Sequence, residues 1–270
     1  MSPSPDGSHL VFFQRGETSS DLWTLETRRG VLSRLTTGPA EEIFPVWSRD
    51  GSRIVFSSGA GGQSALYQKR TAGSDSEELL LPAHPEETFA SDTSPDGQRI
   101  LFDRRSVKSG WDIWTLPLAG ERTPAPLIQT DADERGGMIS PDGKWLAYIA
   151  NSSGPFEVYL QPFPGPGPRS QVSTKGGAQL RWRSDGRELF YIALDGKLMA
   201  VPIQAAADGR SVTVGTPIAL FTTRVGRVIN CCPNVEYVPS ADGQRFLMNT
   251  VVQDAGGAPI RIILNWKARP

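Results

Sequence analysis

Histidine and cysteine are nearly missing from these 270 residues, with two of each. The cysteines are neighbours, Cys231 and Cys232. Adjacent cysteines rarely bridge each other, and two ligands cannot complete a four-ligand zinc site. They read as two small apolar residues near a strand and say little about redox compartment. His9 sits in the first turn and His84 in a loop after a strand. Neither has a companion motif: there is no G-x-S-x-G elbow, no H-E-x-x-H and no phosphate-binding loop. A histidine needs convergent partners to act as acid, base or ligand, so both read as ordinary surface residues and no catalytic residue is assigned. No apolar run reaches the roughly 18–20 residues that span a bilayer, so no membrane insertion by this chain is expected. The start, Met1-Ser2-Pro3-Ser4-Pro5, has no basic region followed by an apolar core, and so no visible signal peptide. Sustained helical periodicity with caps is also absent.

There is no excess charge either: 28 Lys+Arg stand against 29 Asp+Glu. The distribution is uneven. Residues 1–150 hold 15 basic and 21 acidic side chains, and residues 151–270 hold 13 and 8. That is a dipolar surface, not the concentrated basic face of a nucleic-acid binder.

What the chain has in quantity is turn chemistry. Its 28 glycines and 22 prolines are scattered rather than clustered, which fits many turns better than one linker. Six Asp-Gly pairs recur in similar settings: Ser4-Pro5-Asp6-Gly7, Ser48-Arg49-Asp50-Gly51, Ser94-Pro95-Asp96-Gly97, Ser140-Pro141-Asp142-Gly143, Arg183-Ser184-Asp185-Gly186 and Ser240-Ala241-Asp242-Gly243. Their glycines are spaced by 44, 46, 46, 43 and 57 residues. The last interval is long because residues 205–234 carry an insertion. An apolar run follows each pair, such as Ile54-Val55-Phe56 or Ile100-Leu101-Phe102. Asp-Gly marks a tight turn between strands because glycine accepts positive φ. Asp and Ser can bond nearby backbone N–H groups, and Pro presets φ. The box is therefore structural, and its aspartates are not read as catalytic.

One repeat predicts four strands, at 43–47, 53–57, 65–69 and 77–81, separated by the box and by loops with Gly59, Gly61, Gly62 and Gly73. A period near 45 residues with four strands is that of a propeller blade. The expected fold is all-β: a six-bladed β-propeller of four-stranded antiparallel blades in one domain. Its repeats lie near 1–38, 39–84, 85–130, 131–174, 175–222 and 223–270, and the first and last blades are open to being incomplete. No strand is predicted before the first box.

These boxes with their flanking strands resemble the TolB-like, WD-repeat-like propeller family of bacteria. Several further segments resemble the C-terminal propeller region of bacterial serine/threonine protein kinases. They are Asp21-Leu22-Trp23, Leu32-Ser33-Arg34-Leu35-Thr36, Gly110-Trp111-Asp112-Ile113-Trp114, Val158-Tyr159-Leu160-Gln161-Pro162-Phe163-Pro164-Gly165, Arg187-Glu188-Leu189-Phe190-Tyr191 and Ile263-Leu264-Asn265-Trp266. The resemblance implies a sensor or docking module, a periplasmic or extracytoplasmic setting, and a place in a longer polypeptide as a monomeric domain. Kinase activity is not carried over, because the kinase motifs belong to another domain.

Two constellations suggest binding. Ten residues before the box glycine stand Glu41, Glu87 and Asp133, with Glu42 and Glu134 at the next position. On loops leading into the first strands they would form a negative arc at a channel mouth, suited to a divalent cation or a basic peptide; the alternative is a solvated loop. The fifth and sixth repeats carry Gly176 and Pro233 there. A second spot is Arg181-Trp182-Arg183 with Arg187, either a basic aromatic patch or a core tryptophan whose arginines pair with acids of a neighbouring blade. Trp23, Tyr67, Trp114 and Tyr159 recur 16 or 17 residues after their glycines and read as packing between blades. The leading functional expectation is a non-enzymatic propeller that binds a protein, peptide or small ligand, with no resident cofactor. The alternatives are a hydrolase or lyase using the rim carboxylates, or the gating propeller of a prolyl-oligopeptidase-like peptidase.

Overall fold

The box builds the same turn six times in the computed structural model. That model describes residues 1–60, 63–72, 76–165, 167–206, 211–229, 235–251 and 261–263. In the first box Ser4 Oγ donates to Asp6 Oδ1 at 2.6 Å and accepts the His9 N–H at 2.9 Å. Asp6 Oδ1 accepts the Ser8 N–H at 3.0 Å, and the Gly7 N–H reaches Ser4 O at 2.9 Å. Gly7 has φ 68° and the other box glycines lie between 67° and 74°. Glycine is the residue that takes this conformation without a Cβ penalty. In the fifth box Arg183 replaces the serine, and its guanidinium grips Asp185 at 2.7 and 2.8 Å.

Each turn joins the first two strands of a sheet. The first sheet is β1 (Ser2–Pro3), β2 (His9–Arg15), β3 (Ser20–Glu26) and β4 (Leu32–Arg34). The second is β5 (Glu41–Trp47), β6 (Arg53–Ala60), β7 (Gln63–Arg70) and β8 (Glu77–His84). The third is β9 (Thr88–Thr93), β10 (Arg99–Ser106), β11 (Gly110–Pro117) and β12 (Ala125–Ile128). The fourth is β13 (Glu134–Ile139), β14 (Trp145–Ala150), β15 (Glu157–Pro162) and β16 (Ser170–Gln171). The fifth is β17 (Gly177–Trp182), β18 (Glu188–Ala193), β19 (Lys197–Ala205), β20 (Val212–Val214) and β21 (Ile218–Thr222). The last is β22 (Tyr237–Pro239), β23 (Phe246–Met248) and β24 (Arg261–Ile263). Neighbouring strands pair antiparallel, and successive strands run as meanders except that β21 returns to β19. Among the described residues there is no helix, and none long and apolar enough to cross a membrane.

These are β-propeller blades, and they correct two expectations. The repeat predicts six four-stranded blades, whereas five are complete. The sixth sheet has three strands of three residues each among the described residues. The insertion explains part of this. It spends its strand residues on β20 and β21, which pair with the two halves of the long β19. The first box is also preceded by a strand, although a short one: Ser2 and Pro3 pair with Val11 and Leu10. Cys231, Cys232, Pro233, Gly61, Gly62 and Gly73 lie outside the described residues.

The chain forms two compact units, Met1–Gly137 and Met138–Pro270. In the first, Ile54, Phe56, Leu66, Ile100, Phe102 and Leu116 are at most 1% exposed. Burying each such side chain contributes roughly 1.5–3 kcal/mol. In the second, Leu160, Leu180, Trp182, Leu189, Tyr191 and Val201 share one cluster. The recurring aromatics stand opposite an aromatic on the second strand of their own blade: Phe12 with Trp23, Phe56 with Tyr67, Phe102 with Trp114, Tyr148 with Tyr159. Three of these pairs lie 5.9–6.3 Å apart at their ring centroids. They are cross-strand pairs within a sheet, a standard unit of sheet stabilisation.

A second repeated device is a bulge in the first strand. Phe44 has φ 53°, Gly136 66° and Gln179 54°, each seven residues before its box glycine. Pairing shifts register between Ile43 and Val46 and between Ala178 and Arg181. Positive φ is uncommon for phenylalanine. Packing holds it there: Phe44 lies 5.5 Å from Phe13 and 4.6 Å from Phe89, which continues to Trp111 at 5.1 Å.

Candidate functional site

The five rim acids all belong to the first unit, and strand geometry divides them. Successive residues of a strand point to opposite faces. Glu41, at the start of β5, is exposed, whereas Glu42 is 3% exposed. Burial pushes the Glu42 carboxyl above its usual range, against a hydrogen bond from Thr36; the nearby Glu77 and Asp21 charges push the same way as burial. Its Oε2 has no partner. Glu134 is likewise buried, and it accepts hydrogen bonds from the Thr130 hydroxyl and N–H. Thr88 occupies this inward register in the third blade. Its N–H donates to Ser64 Oγ at 2.7 Å, and that hydroxyl donates back to Thr88 O at 2.8 Å.

The outward acids are matched by arginines of their own neighbourhood. Glu87 pairs with Arg105 at 3.1 Å, and Asp133 takes both the Nε and Nη2 of Arg135. Asp133 also packs at the start of β11, close to Gly110. The rim is therefore a set of engaged ion pairs with Glu41 exposed at its edge. Among the described residues no three His, Cys, Asp or Glu side chains are placed to hold one metal ion.

Behind the rim lies a set of buried charges that the repeat gave no reason to expect. Asp103, on β10, is fully buried. Its Oδ2 accepts the Gly136 N–H at 2.8 Å, and its Oδ1 has no partner. Burial raises its pKa to about 7, although Gly136, Gly137 and Arg135 favour the carboxylate. Arg104 lies 5.2 Å from the Phe102 ring and 4.7 Å from the Trp114 ring, and burial weakens its hold on the proton. Asp112 stands opposite Arg104 and accepts from Ser109 at 3.0 Å and Gln129 at 3.1 Å; burial raises its pKa. The one sequence signal for these residues is an acid or arginine closing an apolar run, as in Leu101-Phe102-Asp103-Arg104.

The second patch is not a single surface. Trp182 is in the core and its Nε1 donates to Met138 O at 3.3 Å. Arg181 is half-buried and reaches Met138 Sδ at 3.1 Å. Arg183 pairs with Asp185 and with Glu188, at 2.7 Å each, within its own blade rather than with a neighbour. Arg187 is exposed, and its N–H caps Asp185.

Neither histidine makes a catalytic set. Ser8 Oγ lies 2.8 Å from His9 Nδ1 and 2.8 Å from both oxygens of Asp6. The serine sits between acid and imidazole, so the carboxylate cannot orient the histidine as a base. His84 Nδ1 accepts the Glu86 N–H at 3.2 Å. The box aspartates serve the turns. Serine hydroxyls and backbone N–H groups lower Asp6 and Asp50 to about 2, and they lower Asp96 and Asp242 as well. Arg183 lowers Asp185.

The blades and their turn geometry define a β-propeller, and known proteins resemble the chain as follows. Residues 2–109 match the family model PD40, the TolB beta propeller domain. The chain is 25% identical over 189 residues to an uncharacterized protein of Agrobacterium fabrum, covering 70% of this chain and 52% of that protein. It is 27% identical over 164 residues to the uncharacterized peptidase YuxL of Bacillus subtilis, covering 58% and 23%. The chain thus spans about half or less of the length of these relatives. The solved TolB of Acinetobacter baumannii superposes with a TM-score of 0.71 at 16% identity, covering 93% of this chain and 60% of that one. At that identity the likeness speaks for the fold alone.

Proposed function

We propose that this chain is a non-enzymatic binding propeller that takes a protein or peptide at the rim formed by the starts of β5, β9 and β13. The observation that carries this reading is how the rim's polar groups are used. Glu87 and Asp133 are held by Arg105 and Arg135, and Glu42 and Glu134 are turned inward. No nucleophile, base and orienting acid converge among the described residues. Such a rim presents fixed charge and backbone to a partner, and does not assemble acid–base chemistry. Glu41 remains exposed, and the acidic balance of residues 1–150 favours a basic, extended peptide. The resemblance to kinase-attached propellers supports a wider role as the docking part of a larger bacterial signalling protein.

Fluorescence anisotropy with labelled decapeptides of opposite net charge tests this. Saturable binding of the basic peptide, weakened about tenfold in Glu41→Lys, supports the reading. Binding that is equal for both charges and indifferent to Glu41→Lys overturns it. So does robust turnover of peptidase or polysaccharide-lyase substrates by the purified chain.

A further inference from the structure

In the second and third sheets the residue six places after the box glycine accepts a backbone N–H from the next sheet's first strand, seven places before the next box glycine. In the second sheet this residue is Ser57, whose Oγ accepts the Ala90 N–H at 3.0 Å. In the third sheet it is Asp103, whose Oδ2 accepts the Gly136 N–H at 2.8 Å. Both residues are 0% exposed. The same joint is thus made once by a neutral hydroxyl and once by an ionisable carboxyl with an unpartnered second oxygen.

We propose that Asp103 makes the contact between β10 and β13 a pH-sensitive latch, closed while its side chain is neutral and weakened once it ionises. The surroundings set the direction. On the neighbouring strands Asp103 faces Phe89 and Ile113, which carry no charge. From β13 and its approach come the Gly136 and Gly137 N–H groups and Arg135, which favour the carboxylate, and Asp133, which opposes it and already holds Arg135; burial outweighs the three. A buried charge with one oxygen unpaired is costly, and the net effect favours the neutral form. When β13 lifts away, the carboxyl meets water and regains an ordinary pKa near 4. Each pH unit between that value and the folded value therefore favours the lifted state about tenfold, and the effect levels off above it. Sign and window agree: the latch is tightest in mild acid and loosest from neutral pH upward. Because Arg135 adjoins Gly136 and pairs with Asp133, lifting β13 also moves one ion pair of the rim.

Hydrogen exchange of the Gly136 amide on the full chain, corrected for intrinsic exchange, reads the latch directly. Its protection is expected to fall about a hundredfold between pH 5 and pH 7 and then stay level. The Ala90 amide, held by Ser57, is expected to show no such fall. Asp103→Asn and Asp103→Ser, the latter copying the neighbouring joint, are expected to flatten the Gly136 response. A flat wild-type profile, or the wild-type fall retained in either variant, overturns the proposal. Should neither variant fold, the carboxyl carbon of Asp103 in the wild type is titrated by NMR. A midpoint above about 6 supports the latch and one near 4 overturns it.

Discussion

Replacing Ser140 by alanine removes the centre of the fourth turn box. Ser140 is 2% exposed. Its hydroxyl donates to Asp142 at 2.5 Å and accepts the Trp145 N–H at 2.9 Å, and the latter bond is buried. Alanine fits the space but leaves that N–H without a partner. An orphaned buried donor costs about 1–3 kcal/mol. The sixth box makes the same two bonds, Ser240 to Asp242 at 2.5 Å and Arg245 N–H to Ser240 at 3.0 Å, but both are solvent-exposed. Water replaces the lost partner there, so Ser240→Ala is expected to cost under about 1 kcal/mol. Urea denaturation gives both numbers from the shift in midpoint at constant slope. Burial alone sets the difference between the two sites. Equal losses in the two variants, or no loss in Ser140→Ala, would refute it.

Three further outcomes follow from the geometry. The box aspartates Asp6, Asp50, Asp96, Asp185 and Asp242 all have depressed pKa values, so the stability they contribute is present above about pH 4 and lost as pH falls toward 2; a melting temperature that stays flat from pH 4 to pH 2 contradicts this. Gly97 has φ 67° and nothing within 4 Å of an added Cβ, so Gly97→Ala tests backbone strain alone and is expected to cost about 1 kcal/mol, with Gly97→Asn costing less. Trp182→Ala is expected to cost about 3–5 kcal/mol because it empties a core position, whereas Arg187→Ala leaves the denaturation midpoint unchanged; the reverse order would show that the patch was assigned to the wrong face.

Much of the architecture was legible because one local signal repeats. Ser, Asp and Gly at fixed offsets dictate a turn whatever surrounds them, and the turn fixes the two strands it joins. The sixth sheet was less legible, because a box specifies a turn but not the length of its strands: Tyr237–Pro239 and Phe246–Met248 are three residues each. The insertion was visible as a long interval, but its pairing with both halves of β19 depends on contacts distant in sequence. The rim was half legible. Register placed Glu41, Glu87 and Asp133 at equivalent positions, and strand alternation then separated Glu42 and Glu134 from them. Arg105 and Arg135 were missed as their partners because pairing needs geometry that charge counting cannot supply. Asp103 was hidden for a different reason: it acts through the positive-φ Gly136 of β13, and no property of its own strand announces that contact.

The proposed binding surface is formed by the starts of β5, β9 and β13. Hydrogen exchange measured with and without a saturating basic peptide tests that placement. Protection is expected on peptides covering residues 38–44, 85–90 and 130–136. Protection confined to the outer strands β4, β8 and β12, with the rim unchanged, would contradict it.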